Sequence, residues 1–353
     1  MGRAANDRDA SAPAVRQALA ARAARARTLA PGLLVALVVA IAAQFLSEHY
    51  GAPAMLMALL IGMAFPFLGE EGPAAEGIAF AAKTVLRVGV ALLGARISVD
   101  AVAELGISLV SLVVAGVVLT ILFGLLGARL LGRGWRLALI TGGSVAICGA
   151  SAAMAIAAVL PKNEHSERNL TFTVLSVTVL STIAMIVYPL FASVFGFDER
   201  MSGVFLGATI HDVAQVVGAG FSVSEEAGET ATVVKLIRVM MLAPVVLVFA
   251  LWIRAAGLGG GEVVGAKRPP LVPAFVVGFL VFAALNSFGV LPALAAQWLG
   301  DLSRWALLVA IAAVGMKTSL RRIMDVGGPA VVLIIGETIF IALIVVAGIA
   351  MLG

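Results

Sequence analysis

The sequence predicts an all-α polytopic membrane protein of about eleven transmembrane helices, and three observations support this class. Of its 353 residues, 61% are hydrophobic and 12% are charged, which is about half the charged share of a soluble domain. The apolar residues form runs of roughly 18 or more, enough for a helix to cross a bilayer. Two of these runs are interrupted by glycine and polar residues, a mixture that mere passage through lipid does not require.

The chain begins with a basic tail, residues 1–28, which is rich in alanine and carries six arginines. We interpret it as a cytoplasmic segment before an uncleaved first helix, because further apolar runs follow at once. Residues 29–353 then form a single transmembrane domain. The predicted spans are Leu29–Leu46, Pro53–Phe67, Gly77–Gly94, Leu105–Leu126, Leu137–Leu160, Leu170–Phe195, Ser202–Phe221, Thr232–Ile253, Leu271–Val290, Leu302–Met316 and Pro329–Leu352.

The loop charges orient these spans in the membrane. With the N-terminus in the cytoplasm, the basic loop residues fall inside, as the positive-inside rule requires. They are Arg129, Arg133, Arg136, Arg254, Lys267, Arg268, Lys317, Arg321 and Arg322. The acidic loop with Glu225, Glu226 and Glu229 falls outside, and the C-terminus becomes periplasmic. We therefore expect a multi-pass protein of the bacterial inner membrane, and the small net charge of +4 argues against nucleic-acid binding.

Two blocks of sequence predict an inverted repeat. Ala52–Met55 opens a span and is followed about forty residues later by Gly94–Ser98, as Val272–Phe275 is followed by Gly315–Ser319. An acidic residue and a glycine come after each block, namely Glu104 with Gly106 and Asp325 with Gly327. Seven predicted helices separate the copies, so their orientations are opposite, which is typical of secondary transporters. The repeat units are roughly 29–128 and 232–353, around an interrupted region at 137–222; chance similarity is the alternative.

The first interrupted span is Thr141–Leu160. It opens with Gly142-Gly143 and carries the candidate binding residues Ser144, Cys148, Gly149 and Ser151. We interpret it as a broken helix whose backbone N–H groups and serine hydroxyls face an anion. A tightly packed helix with small residues is the alternative.

The second interrupted span places Thr209, His211, Asp212 and Gln215 between glycines. An ionisable side chain at membrane depth is costly, so it usually faces a cavity or a partner. His211 and Gln215 lie one helical turn apart and share a face, while Asp212 can pair with a cation, relay a proton or orient His211. The alternative is a loop end at the interface.

Further charges lie inside spans. Arg87 is near the middle of the third span and must be neutralised or face water, while Lys83 one turn earlier can snorkel. Lys235 and Arg238 either snorkel or turn inward, and inward they supply positive charge to an anion path. Glu337 lies deep in the last span, where we expect a partner for it.

Enzyme signatures are absent from the sequence. Gly149–Ala153 lacks the last glycine of a nucleophile elbow, and the segment from His211 to Gln215 lacks the glutamate and second histidine of a zinc-protease motif. The chain has no P-loop, and its one cysteine excludes a cysteine-cluster metal site. We expect no enzyme activity and no cofactor, with H⁺ or Na⁺ as coupling ion. A membrane enzyme using Cys148 or His211 is the remote alternative.

These segments resemble a known family. Gly142–Ala155 (GGSVAICGASAAMA), Gly207–Gly220 (GATIHDVAQVVGAG) and Val234–Pro244 (VKLIRVMMLAP) are similar to the YeiH-type sulfate exporters, and the resemblance runs from about Ala30 to the end. The family motif has Glu at the position of Asp212. The family is similar to the wider group of bile-acid symporters and NhaA-type antiporters, whose G-M-x-L segment the residues at Gly94 and Gly315 resemble. The resemblance implies inverted repeats, broken helices crossing near the midplane, and alternating access.

The leading hypothesis is a secondary transporter that exports a small anion, such as sulfate, sulfite or a sulfonate-derived anion. Ser144 and Ser151 bind anion oxygens, and His211 and Asp212 carry coupling protons. Arg87, Lys235 or Arg238 supplies positive charge. The runner-up is a cation/proton antiporter without an anion substrate, in which Asp212 and Glu337 bind the cation. The expected partners are the anion and the lipid bilayer, with a homodimer by analogy with the wider group.

Overall fold

The computed structural model describes residues 6–97, 105–257, 273–317 and 328–352. Every regular element in these ranges is helical, which confirms the predicted class. The α-helices are α1 (Asn6–Tyr50), α2 (Ala54–Met63), α3 (Phe67–Glu70), α4 (Ala75–Phe80), α5 (Leu86–Leu93), α6 (Gly106–Leu130), α7 (Trp135–Ala146), α8 (Ala150–Ala157), α9 (Ser166–Val194), α10 (Glu199–Thr209), α11 (Val213–Val223), α12 (Glu225–Met240), α13 (Leu242–Ala255), α14 (Ala274–Ser287), α15 (Ala293–Lys317) and α16 (Pro329–Leu352).

A π-helical turn, Ala81–Val85, joins α4 to α5, and a 3₁₀ turn, Gly94–Arg96, ends α5. Several residues of the sequence argument lie outside the described ranges. They are Ser98, Glu104, Lys267, Arg268, Ser319, Arg321, Arg322, Asp325 and Gly327.

Seven helices of the described chain are long and apolar enough to cross a membrane. They are Ala23–Tyr50, Ala75–Arg96, Gly106–Leu130, Ser166–Val194, Glu225–Ala255, Ala293–Lys317 and Ala330–Leu352. The helices α2, α11 and α14 are apolar but shorter. The chain is therefore a multi-pass membrane protein.

Close contacts at glycines show how neighbouring helices run. Gly89 lies against Leu307, and Gly300 lies against Arg96, so α5 and α15 are antiparallel. Helices α6 and α16 are antiparallel as well, by the same kind of contacts. When the directions of all helices are followed in this way, most loop charges lie at two opposite ends of the bundle. The basic face holds Arg129, Arg133, Arg136, Arg254 and Lys317, and the acidic face holds Asp198, Glu199, Glu225, Glu226 and Glu229.

The helices form two groups. In the first group, which we call the frame, α1 to α5 pack with α14 and α15. In the second group, which we call the core unit, α6 to α13 pack with one another and with α16. The groups meet where α11 packs against α2 and α15. On the acidic face, Arg96 of the frame forms ion pairs with Glu225 at 2.7 Å and with Glu229 at 3.5 Å.

Two contacts in the frame are related to each other by the repeat spacing. A β-carbon at Gly94 would meet the backbone oxygen of Phe279 on α14, and one at Gly315 would meet that of Leu59 on α2. Leu59 and Phe279 are separated by nearly the same number of residues as Gly94 and Gly315. Each glycine therefore makes the corresponding contact in the other half of the frame.

The crossing of α2 and α15 should not tolerate an added methyl group. At Gly62 a β-carbon would press on the backbone oxygen of Ala312, and backbone cannot move aside as a side chain does. We expect Gly62→Ala to lower the free energy of unfolding by about 1–3 kcal/mol. Gly116→Ala is the control, because nothing lies within 4 Å of its β-carbon position. Thermal unfolding in detergent would compare the two, and equal melting temperatures would contradict the close crossing.

Candidate functional site

The first interrupted span is a helical hairpin. Its helices α7 and α8 are joined at Gly149, whose φ of +63° and ψ of −126° suit glycine and strain other residues. The side chain of Ile156 lies against Gly143. A straight helix would hold these two residues about 20 Å apart at 1.5 Å per residue. The chain therefore turns back on itself at Gly149, and both ends of this hairpin, hairpin 1, face the basic face.

The second interrupted span is also a hairpin, made of α10 and α11. The β-carbon positions of Gly203 on α10 and Gly220 on α11 both lie near the backbone oxygen of Ala227, at 2.8 and 3.1 Å. Two residues this far apart in sequence share one neighbour because the chain reverses at His211. Hairpin 2 therefore enters from the acidic face and returns to it.

Both interruptions lie where the sequence predicted them, but the course of the chain differs. The expectation of eleven crossings counted 137–160 and 202–221 as spans, with the broken helices crossing each other. In the structure each segment reverses at its interruption and stops at mid-depth. Apolar length alone suits a spanning helix and a buried hairpin equally well, so hydropathy does not separate them.

The tips of the two hairpins meet near the middle of the bundle. The β-carbon position of Gly149 lies 3.6 Å from the β-carbon of His211 and 3.7 Å from the side chain of Val177 on α9. Asp212 donates its backbone N–H to Ser181 at 3.0 Å, near the midpoint of α9. The contact therefore lies at mid-depth, where water is excluded and free backbone groups need protein partners.

Two fully buried cations satisfy the carbonyl groups of both tips. Lys235 Nζ donates to the oxygens of Ile147 and Ile210, both at 2.8 Å. Arg238 donates from Nε to Ala146 at 2.8 Å and from one terminal nitrogen to Val145 at 2.6 Å. Its other terminal nitrogen donates to Gly207 at 3.2 Å and Ile210 at 3.1 Å. These side chains turn inward, as one sequence alternative had it, and they cap α7 and α10.

The tips have a positive electrostatic balance. Each helix end at a tip carries about half a charge, negative at the C-termini of α7 and α10 and positive at the N-termini of α8 and α11. These half charges cancel, so the two cations exceed the one carboxylate, Asp212. That carboxylate already caps α11, since it accepts the N–H of Ala214 at 2.8 Å. The N-terminus of α8 begins at Gly149, which has no side chain to cap it.

The remaining polar groups of hairpin 2 bond to neighbouring helices. His211 is fully buried, with Nε2 at 3.1 Å from the hydroxyl of Thr338 on α16. Gln215 donates to the hydroxyl of Thr182 on α9 at 2.8 Å. Among the described residues, the Nδ1 atom of His211 and the Oε1 atom of Gln215 are buried without a hydrogen-bond partner. Both residues therefore keep an unused polar atom at the tip.

The serines of hairpin 1 occupy different environments. Ser144 is fully buried and donates to Ile140 of its own helix at 2.5 Å, so the structure does not bring it to a cavity. Thr209 likewise donates to Phe205 at 2.6 Å, and Cys148 is buried as a free thiol. Ser151 is exposed and lines a cavity.

That cavity lies between the frame and the core unit, on the basic side of the hairpin tips. Its volume is about 640 Å³. The polar lining comes from Thr84, Arg87 and Ser151, and the rest is mainly apolar. The apolar lining residues are Val88, Ala91, Met154, Ala155, Ala158, Val159, Leu242, Val246, Pro273, Ala274 and Phe275. The guanidinium of Arg87 lies over the ring of Phe275 at 5.9 Å.

The sequence argument missed several polar residues that the fold brings to the tips. Ser181 and Thr182 lie in the middle of α9, and Thr338 follows Glu337 on α16. Thr84 lies three residues before Arg87 and joins it in the cavity. A hydroxyl in a helix usually bonds its own backbone, so only the adjacent charged residues could have drawn attention to Thr84 and Thr338.

Fold and site together define a polytopic α-helical membrane protein with two opposed hairpins at its centre. The family described as conserved hypothetical protein 698 matches residues 31–350, and the chain belongs to this family. It is 66% identical to the UPF0324 membrane protein TauZ of Paracoccus denitrificans, over 92% of this chain and 95% of TauZ. It is also 66% identical to the UPF0324 membrane protein RB0971 of Rhizobium meliloti, over 92% and 94%. Identity to CT0845 of Chlorobaculum tepidum is 54%, over 90% and 88%. No solved structure matches the chain.

Proposed function

We propose that the protein is a secondary transporter that carries a small anion across the bacterial inner membrane. The observation that carries the proposal is the cavity that Arg87 and Ser151 line together, with Ser151 in the first turn of α8. A cation and a hydroxyl are donors that suit an oxyanion. Placed at mid-depth, these groups meet an anion halfway along its path.

The size and lining of the cavity favour an anion with an apolar part. A volume of about 640 Å³ lies within the range of small-molecule sites, which combine apolar walls with a few polar groups. Two relatives, both from Paracoccus species, carry the name TauZ, which points to taurine. We therefore place a sulfonate or a product of its breakdown, such as sulfite or sulfate, ahead of other anions.

Alternating access is supported by the two groups of helices. The frame contacts related by the repeat spacing, at Gly94 and Gly315, fit an inverted repeat. The cavity lies on the basic side of the hairpin tips, while the Arg96 ion pairs with Glu225 and Glu229 join frame and core unit on the acidic face. We infer that the basic face is cytoplasmic, that this conformation is open inward, and that the core unit moves against the frame.

Binding to the detergent-purified protein tests the proposal, with Ser151→Ala and Ser144→Ala as a matched pair. The probes are taurine, sulfite, sulfate, thiosulfate, organic acids and Na⁺, and a ligand that binds the folded state raises the melting temperature. Loss of one hydrogen bond to an anion should weaken binding about 10-fold in Ser151→Ala. Ser144→Ala should bind as the wild type does, because its hydroxyl points back to Ile140.

Three outcomes would count against the assignment. Stabilisation by Na⁺ without any anion would favour the cation antiporter. If the Ser151 and Ser144 variants bound the anion equally well, the cavity would not be the anion-binding site. Absence of anion-dependent flux in proteoliposomes, with an anion bound, would make the protein a binding protein and not a transporter.

A further inference from the structure

Two consecutive residues of helix α16 connect it to the two hairpins, one residue to each hairpin. Glu337 lies 2.9 Å from the hydroxyl of Thr141 on hairpin 1, and Thr338 lies 3.1 Å from His211 Nε2 on hairpin 2. Glu337 is fully buried. Its Oε1 atom packs against α6 and α7 at two glycines, 2.5 Å from the β-carbon position of Gly124 and 3.6 Å from that of Gly142. The carboxyl group thus occupies space that larger residues would fill.

No cation among the residues that the structure describes contacts Glu337. Its Oε2 atom has no hydrogen-bond partner in the described part of the chain. The charged or titratable residues of the elements packed around it are Arg129, Arg136, Glu167, Arg168, Tyr188, Glu199, Arg200, His211, Asp212, Lys235 and Arg238. Arg136 stacks on Trp135 at 5.0 Å, while Lys235 and Arg238 bond to tip carbonyls. A buried ionised carboxylate without a partner cation is very costly.

The hydrogen bonds of Thr141 also favour a protonated Glu337. A threonine hydroxyl has one proton to donate and can accept as well. The hydroxyl of Thr141 lies 3.1 Å from the backbone oxygen of Leu137 and 2.9 Å from Glu337 Oε1. If Thr141 donates to Leu137, as Thr338 does to Ile334 at 2.8 Å, then Glu337 must donate to Thr141. A protonated carboxyl removes the buried charge and supplies the proton for this contact, although Oε2 still has no partner in the described part of the chain.

We propose that Glu337 and Thr141 form a proton-binding site that clamps hairpin 1 to α16. With the proton bound, the carboxyl donates to Thr141 and holds α7 against α6 and α16. Without the proton, Thr141 has to turn its own proton from Leu137 to the carboxylate, and an unpaired charge lies between Gly124 and Gly142, so hairpin 1 separates from α16. The role of this site as a clamp on hairpin 1 does not depend on the proposed function. Its role as the binding site of the coupling ion rests on the proposed anion transport.

The test compares wild type with Glu337→Gln and with Glu76→Gln, a control at an exposed glutamate on the basic face. Unfolding is measured against pH without any anion present. The folded wild type keeps a proton that the unfolded chain releases above about pH 4.3. Each pH unit above this value should therefore favour unfolding by up to about tenfold, until the folded carboxyl itself releases the proton. Glu337→Gln cannot release a proton and should lack this slope, whereas Glu76→Gln should keep it.

Hydrogen exchange gives a second measurement on the same proteins. Residues 135–157 of the wild type should exchange faster as pH rises, beyond the intrinsic rate, and those of Glu337→Gln should not. A pH slope shared by wild type and Glu337→Gln, or a Gln variant that is less stable at every pH, would overturn the proposal. Neither measurement depends on anion binding. The proposed function can therefore fail while the clamp is confirmed, and the clamp can fail while anion transport is confirmed.

Discussion

Replacing Arg238 by methionine is expected to cost more stability than any other single change at the hairpin tips. Arg238 is fully buried and donates to four backbone oxygens, two on each hairpin. Methionine fills similar space but donates nothing, so carbonyls of both tips lose their partner. A buried group left without its hydrogen bond costs about 1–3 kcal/mol. We expect the free energy of unfolding to fall by about 3–5 kcal/mol in total.

The control is Arg254→Met, near the end of α13 on the basic face. Arg254 is exposed, and its replacement should change stability by no more than about 0.5 kcal/mol. Thermal unfolding and the yield of monodisperse protein in detergent measure both variants. If Arg238→Met were as stable as Arg254→Met, the buried guanidinium would not hold the tips together.

Replacing Arg87 by alanine should abolish most anion binding while the protein stays folded. Arg87 lies at mid-depth, lines the cavity and forms a cation–π contact with Phe275. In this low dielectric, its attraction to an anion is stronger than in water. Loss of one charged contact, worth about 1.5–3 kcal/mol, corresponds to an affinity about 10- to 100-fold lower.

Lys83→Ala serves as the matched variant, since Lys83 lies one turn earlier, is exposed and does not line the cavity. It should bind the anion with unchanged affinity. Isothermal titration with the best ligand of the thermal screen compares the two variants. An Arg87→Ala protein that binds as tightly as Lys83→Ala would move the site away from this cavity.

The sequence predicted the helical class, the two interruptions and their position in the chain. Gly149 and the pair His211-Asp212 are unusual in a helix that only crosses lipid, and these are the residues at which the chain reverses. The direction taken after each interruption was not predicted. It depends on contacts such as Ile156 with Gly143, which become visible only in three dimensions.

The two topologies place the described loop charges in similar relative positions for a simple reason. Two hairpins replace two spans, so the described loops before Trp135 and after Val223 lie on the same sides relative to one another as predicted, while the loops between them change sides. For the candidate site, the sequence identified the residue types but not their environments. Ser144 and Ser151 look alike in sequence, yet one points to its own helix and the other lines the cavity.

The capping of hairpin 1 by Arg238 and Lys235 has a consequence for how the chain is made. Val145, Ala146 and Ile147 leave the ribosome about ninety residues before the two cations that bond them. During that interval their carbonyls have no partner in lipid, where such groups are costly. We therefore expect hairpin 1 to reach its final place in the bilayer only after α12 has been synthesised.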